Sequence, residues 1–234
     1  MLKYKLPLYG TVFLAVILFV SAFAVLADKE SEISDSRPVI IIDAGHGGFD
    51  GGAVAQDGTV EKDINLKIAI KVEEFLKVNG FKVIMTRTED RGTEDNSNAQ
   101  ISERKKSDMQ NRLKLIENNS SAVYISIHLN KFTTSAASGT QVFYSANNKK
   151  SKVLAQKIQS SIIEMLQKDN DRVIKPGGNN SYLLKKATIP AVIVECGFLS
   201  NKRELELLKS DEYQTKISFA IASGILEYYK VKED

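Results

Sequence analysis

The apolar positions divide the chain into one unbroken stretch and a series of short, periodic ones. Leu6 to Ala27 is almost wholly apolar, follows the basic segment Met1 to Lys5, and precedes a polar stretch from Asp28 to Arg37. A run with no polar face is not an ordinary surface helix of a domain. Its basic flank and its small-residue triplets, Ala22-Phe23-Ala24 and Val25-Leu26-Ala27, are those of an export signal. Roughly 20 apolar residues also suffice to cross a bilayer, so a retained anchor fits equally well. Residues 1–27 are therefore read as a signal peptide or N-terminal membrane anchor, 28–37 as a linker and 38–234 as a folded domain. Lys3 and Lys5, placed before the apolar run, predict that the domain is exported and faces outward.

Beyond Pro38 the pattern changes to alternating strands and helices. Val39-Ile40-Ile41-Ile42 is β-branched and apolar on both faces, as in a strand buried inside a parallel sheet. Ile64, Ile68, Val72, Phe75 and Leu76 recur at helical spacing, with Asn79-Gly80 as the stop. Phe81 to Met85 reads as the next strand, and Thr86 to Ser107 as a hydrophilic surface loop with some helix. Met109, Leu113 and Ile116 mark a helix ending near Asn118-Asn119, and Ala122 to Ile127 and Gln141 to Tyr144 mark two more strands. Leu154, Ile158, Ile162 and Leu166 define another helix, and Tyr182 to Leu184 and Ala191 to Val194 read as short strands. Tyr213, Ile217, Ile221, Ile225 and Tyr228 give a terminal helix its core face. The expected fold is a single α/β domain: a mostly parallel, twisted sheet flanked by helices on both faces. In such sheets the site lies beyond the carboxyl ends of the strands.

Charge and cysteine content narrow the chemistry. The formal net charge is +3, of which two belong to Lys3 and Lys5, so the rest of the chain is nearly neutral. Such a domain has no broad field for nucleic acid, which is excluded as a partner. The single cysteine, Cys196, rules out an internal disulfide and any cysteine-based zinc knuckle.

Both histidines of the chain fall at strand ends. His46 follows the first strand in Asp43-Ala44-Gly45-His46-Gly47-Gly48-Phe49-Asp50, and His128 closes the third in Ser126-Ile127-His128-Leu129-Asn130. One histidine after an apolar strand is commonly a hydrogen-bonded structural residue; two at equivalent strand ends point to a metal. A catalytic zinc takes three N/O ligands and leaves a position for water. A carboxylate would complete that count, and Glu61, Asp63 and Glu195 all compete for it. Glu61 also suits a helix N-terminus on dipole grounds alone. Glu195 stands after the apolar strand Val192-Ile193-Val194, where burial would raise its pKa and suit it to proton transfer, unless it pairs with Arg87 or Arg112. The glycine loop lacks the third glycine of a dinucleotide fingerprint, and no phosphate-loop or nucleophile-elbow motif is present. Cys196, beside an acid, reads as a packing residue.

Taken together and in this order, Ile42-Asp43-Ala44-Gly45-His46-Gly47-Gly48, Glu61-Lys62-Asp63, Thr86-Arg87, Ser126 to Asn130 and Val194 to Asn201 resemble the zinc-dependent N-acetylmuramoyl-L-alanine amidases. The resemblance spans roughly Val39 to Tyr229. It implies Zn2+ held by His46, Glu61 and His128, Glu195 as catalytic acid/base, and peptidoglycan as substrate. Arg112 and Asn130 match recurrent positions, and either support the ligands from behind or serve the fold. One export segment, one amidase domain and no wall-binding repeats further resemble the sporulation amidases that enable muramic δ-lactam formation in spore cortex, in cooperation with a peptidoglycan deacetylase. Only Lys131 to Gly139 separates Asn130 from the next strand, too short for the autoinhibitory helix of some members, so control by expression or by an activating protein is expected. Two other readings are a non-catalytic wall-binding module and a zinc peptidase cutting within the stem peptide.

Overall fold

Ile40–Ala44 (β1) is buried throughout, as its unbroken β-branched run requires, and lies inside a six-stranded sheet. A computed structural model describes residues 39–178 and 181–230; the export segment and linker read from the sequence lie outside them. No described helix is long and apolar enough to cross a membrane. The other strands are Val83–Met85 (β2), Val123–Asn130 (β3), Gln141–Tyr144 (β4), Lys175–Pro176 (β5) and Ala191–Phe198 (β6), in the order β2-β1-β3-β6-β4-β5. All neighbours run parallel except β4 against β6.

Helices cover both faces. Ile40 and Ile42 point into one apolar cluster with Glu61–Val78 (α1), Lys149–Met165 (α3) and Asp211–Lys230 (α6). Ile41 points into the other, with Ile116 of Ile101–Glu117 (α2) and Leu183 and Leu184 of Tyr182–Lys186 (α4). Each fully buried aliphatic side chain contributes roughly 1.5–3 kcal/mol, so two such faces fix the sheet between its helices. At Gly224 of α6 an added Cβ would come within 2.5 Å of the Ile158 backbone, so glycine permits the close packing of α3 on α6.

Several elements differ from the sequence-based expectation. Tyr182 to Leu184 is a short helix rather than a strand: both leucines are buried, and neither is β-branched. Helix α2 starts at Ile101, within the stretch expected to be loop with some helix. Lys202–Lys209 (α5) and β5 were not signalled by any long apolar period; α5 is marked instead by Asn201, whose side chain accepts from the Glu204 backbone N–H. Strands β3 and β6 run on to Asn130 and Phe198, with a register shift between His128 and Asn130. The extension carries His128 and Glu195 into the sheet as directly paired neighbours.

Candidate metal and catalytic site

The loop leaving β1 is shaped by its glycines and by two buried arginines. His46 has φ +62°, the only non-glycine residue of left-handed conformation among those described. Its placement depends on Gly45, where a Cβ would lie 2.3 Å from the His128 ring. Arg87 donates to the carbonyls of Ala44, Gly45 and Lys62, and Arg112 to the carbonyls of Ala44 and His46. Arg112 is in turn ion-paired with Asp43 and Asp108. The strained turn is thus held from below by two almost fully buried arginines.

Three donor atoms converge above it. His128 Nδ1 lies 3.0 Å and His46 Nε2 3.4 Å from Glu61 Oε1, and one ligand atom from each residue falls within 4.8 Å of the others. Glu61 is the first residue of α1 and is buried, so the helix start aims it inward. Its Oε1 also accepts from Leu129 N and Asn65 Nδ2, and its Oε2 from Ala53 N. Burial acts to raise its pKa, but the hydrogen bonds from His128 and His46 hold the carboxyl far below the usual range. Burial likewise acts to lower the His46 pKa, and Asp50, then Glu61, override it and push it up to about 9. Two imidazoles, one carboxylate and no thiol form a donor set suited to a catalytic zinc. Gly45 leaves space against the His128 ring that a side chain would fill. Asp63 is exposed and outside this group, which ends its competition with Glu61.

Glu195 sits opposite His128 across β3 and β6. Its Oε2 is out of contact with solvent and has no hydrogen-bond partner, and neither Arg87 nor Arg112 reaches it. Burial is the main cause of its pKa being pushed up to about 7; His128 opposes and Glu61 adds to the shift. Cys196 is buried, and burial with Glu195 beside it pushes its thiol far above the range of a nucleophile. His46, His128 and Glu195 line one cleft of about 450 Å³. A group of side chains that could hold a metal and a carboxyl of raised pKa therefore share one cleft.

Residues 40–227 match the family model described as N-acetylmuramoyl-L-alanine amidase. The chain belongs to this amidase family. Over 199 residues it is 37% identical to the germination-specific N-acetylmuramoyl-L-alanine amidase of Bacillus subtilis (strain 168), covering 85% of this chain and 83% of that protein. The structure of the CwlD amidase from Clostridioides difficile in complex with the GerS lipoprotein is 41% identical, with a TM-score of 0.80 over 83% of this chain and all of that one. An N-acetylmuramoyl-L-alanine amidase from Clostridium difficile 630 superposes with a TM-score of 0.71 at 31% identity, over 84% of this chain and 98% of that one. The protein is thus a hydrolase of the CwlD-like group of amidases.

Within the amidase domain, three polar residues of the site escaped the sequence reading. Asp50 Oδ2 lies 2.9 Å from His46 Nδ1, which fixes that ring with Nε2 toward Glu61. Asp43 is the acceptor beneath the loop, taking hydrogen bonds from Thr86, Arg112, Tyr124 and Ser126. Asn65, one turn after Glu61, bonds both its carboxylate and the Gly45 carbonyl. Period-four spacing from Glu61 on a helix was the available signal for Asn65. Arg112 supports the loop that carries His46 and is itself held by Asp43 and Asp108. Asn130 joins β3 to the end of β6 through its carbonyl, which accepts from Leu199 N.

Proposed function

We propose that this amidase hydrolyses the bond between the lactyl group of muramic acid and the L-alanine of the stem peptide in a zinc-dependent reaction. His46, Glu61 and His128 are the ligands and Glu195 is the acid/base. The observation that carries this reading is the unpartnered Glu195 Oε2, on a residue that shares one cleft with His46 and His128 of the His-Glu-His group. Zinc, when bound, supplies Lewis acidity, lowering the pKa of water to ≈ 7 and polarising the carbonyl. Glu195 takes the proton of the attacking water and delivers it to the leaving amine of the alanine. Its raised pKa suits both halves of that task near neutrality. Asp50 holds His46 in the tautomer that presents Nε2, and Arg87 and Arg112 keep the glycine loop from relaxing.

The biological setting we infer is spore cortex, where removal of stem peptides lets a separate peptidoglycan deacetylase form muramic δ-lactam. Similarity to the germination-specific amidase of Bacillus subtilis supports it. We further propose export through residues 1–27, with the enzyme secreted or membrane-anchored, residues 28–37 serving as linker and residues 38–234 as the catalytic domain. An activating protein partner is part of the same proposal, supported by the CwlD amidase having been solved with a lipoprotein.

The test is digestion of purified peptidoglycan by the full-length protein, with zinc and then with chelator, and product identification by mass spectrometry. Free stem peptides beginning at alanine, lost on chelation, are expected. Cleavage inside the stem peptide, or equal release with verified zinc and with chelator, would overturn the assignment.

A further inference from the structure

The cleft is rich in acids, and few permanent cations line it. Its described lining includes the carboxylates of Asp43, Asp50, Asp108 and Glu195, set against the permanent cations Arg112 and Lys105. Arg112 is buried and fully engaged with Asp43, Asp108 and two loop carbonyls. Lys105, on α2, is different: its side chain is 56% exposed, and its Nζ lies 3.2 Å from Asp50 Oδ1. A lysine ammonium has three N–H donors, so one contact with Asp50 leaves two for a ligand.

The substrate of an amidase makes that cation useful. Stem peptides of peptidoglycan bear carboxylates beyond their first alanine. Such a group entering this cleft beside Asp50 meets a like charge, and like charges brought together oppose binding unless a cation lies between. Met109, Leu183 and Ile193 supply apolar lining that neither repels nor neutralises it. Resting on the amidase reading above, we propose that Lys105 determines specificity by binding the carboxylate that follows the scissile amide, while it stays in contact with Asp50. Because Asp50 also bonds His46 Nδ1 at 2.9 Å, the same ammonium ties the position of the peptide to the first histidine of the metal group. The enzyme then distinguishes acidic stem peptides from those whose carboxyl is amidated.

Two soluble muramyl-peptides, identical except for a free carboxylate or a carboxamide on the residue after L-alanine, separate this role from a plain surface ion pair. Their kcat/KM values are measured with zinc-loaded, full-length wild type and with Lys105→Met, Lys105→Arg and Lys105→Glu, metal content being determined for each. Wild type is expected to prefer the acid. Lys105→Met lowers the acid-to-amide ratio about 10-fold, chiefly through KM, as for loss of a charge-assisted contact. Lys105→Arg restores the ratio and Lys105→Glu reverses the preference. A ratio unmoved by Lys105→Met, whatever happens to the absolute rates, overturns the proposal and leaves Lys105 as a partner of Asp50 alone. Failure of zinc-loaded wild type to cleave either compound overturns the amidase reading itself, and the proposal with it.

Discussion

Asp43 and Glu195 line one cleft from the two strands that flank β3, and their surroundings are opposite. Asp43 accepts from Thr86 at 2.8 Å, Tyr124 at 2.5 Å and Ser126 at 2.6 Å and is ion-paired with Arg112. Burial acts to raise its pKa, and Arg112 followed by the two hydroxyl donors reverses that, holding it well below the usual carboxylate range. Glu195 has an oxygen removed from solvent with no donor at all, so burial prevails and its proton is held to about pH 7. The same functional group is thus made permanently ionic at one strand end and exchangeable at the other. Donor count, rather than burial, separates the structural acid from the one proposed to move protons.

The largest effect expected from breaking this contrast is on rate. Glu195→Gln keeps the shape and removes the proton carrier, so peptide release should fall by about 10²–10⁴, with zinc content unchanged. Retention of activity within a few-fold, measured on zinc-verified protein, would sink the acid/base assignment. Asp43→Asn should act on stability instead. It removes one of the two carboxylates paired with the buried Arg112 and leaves Asp108 alone to balance it; breaking a buried pair costs up to about 3–5 kcal/mol, read as a lower midpoint in urea unfolding. Glu195→Gln should show no comparable loss, and an equal fall in both variants would erase the distinction.

Asp50 lies between the two cases, 24% exposed and shared by His46 and Lys105. Hydrogen bonds to a ligating imidazole set its orientation and basicity, and their removal typically costs 10–100-fold in metal affinity. Asp50→Asn is therefore expected to weaken zinc binding by about that factor in a competition titration against a chromophoric chelator. An unchanged affinity would show that the loop alone orients His46.

How far these roles could be read from the sequence depends on the range of the contacts that define them. The strands β1, β3 and β6 were legible because buried parallel strands are continuous β-branched runs, and α1, α3 and α6 because their core faces repeat over several turns. Tyr182 to Lys186 carries too few residues for a period to declare itself. His46, His128 and Glu195 stood out as polar residues following apolar strands. Glu61 did not stand apart from Asp63 by spacing; it took the resemblance to the amidases to prefer it, and the inward-facing first position of α1 gives the physical reason. Arg87 was hidden for a different reason. It lies in a hydrophilic stretch that reads as loop, yet is 1% exposed, because carbonyls of the β1 loop some 42 residues away satisfy its guanidinium. Such pairing is a property of the folded chain and leaves no local pattern.

The smallest expected effect is a pH dependence of opposite sign at the two carboxylates, measured on chelator-stripped protein. Glu195 has an ordinary pKa of 4.5 when unfolded and about 7 when folded. Between those values the unfolded chain releases a proton that the folded protein keeps, so its contribution to stability falls as pH rises and then levels. Glutamine does not ionise, so the melting temperature of Glu195→Gln should gain on wild type by a few degrees from about pH 4.5 to 7. For Asp43 the folded carboxyl is the stronger acid, so its contribution is present above the ordinary value of 3.8 and is lost as pH falls. The deficit of Asp43→Asn should accordingly shrink in acid, while the advantage of Glu195→Gln disappears there. Parallel curves for the two variants would mean that the donors around Asp43 and their absence around Glu195 do not set the two pKa values apart.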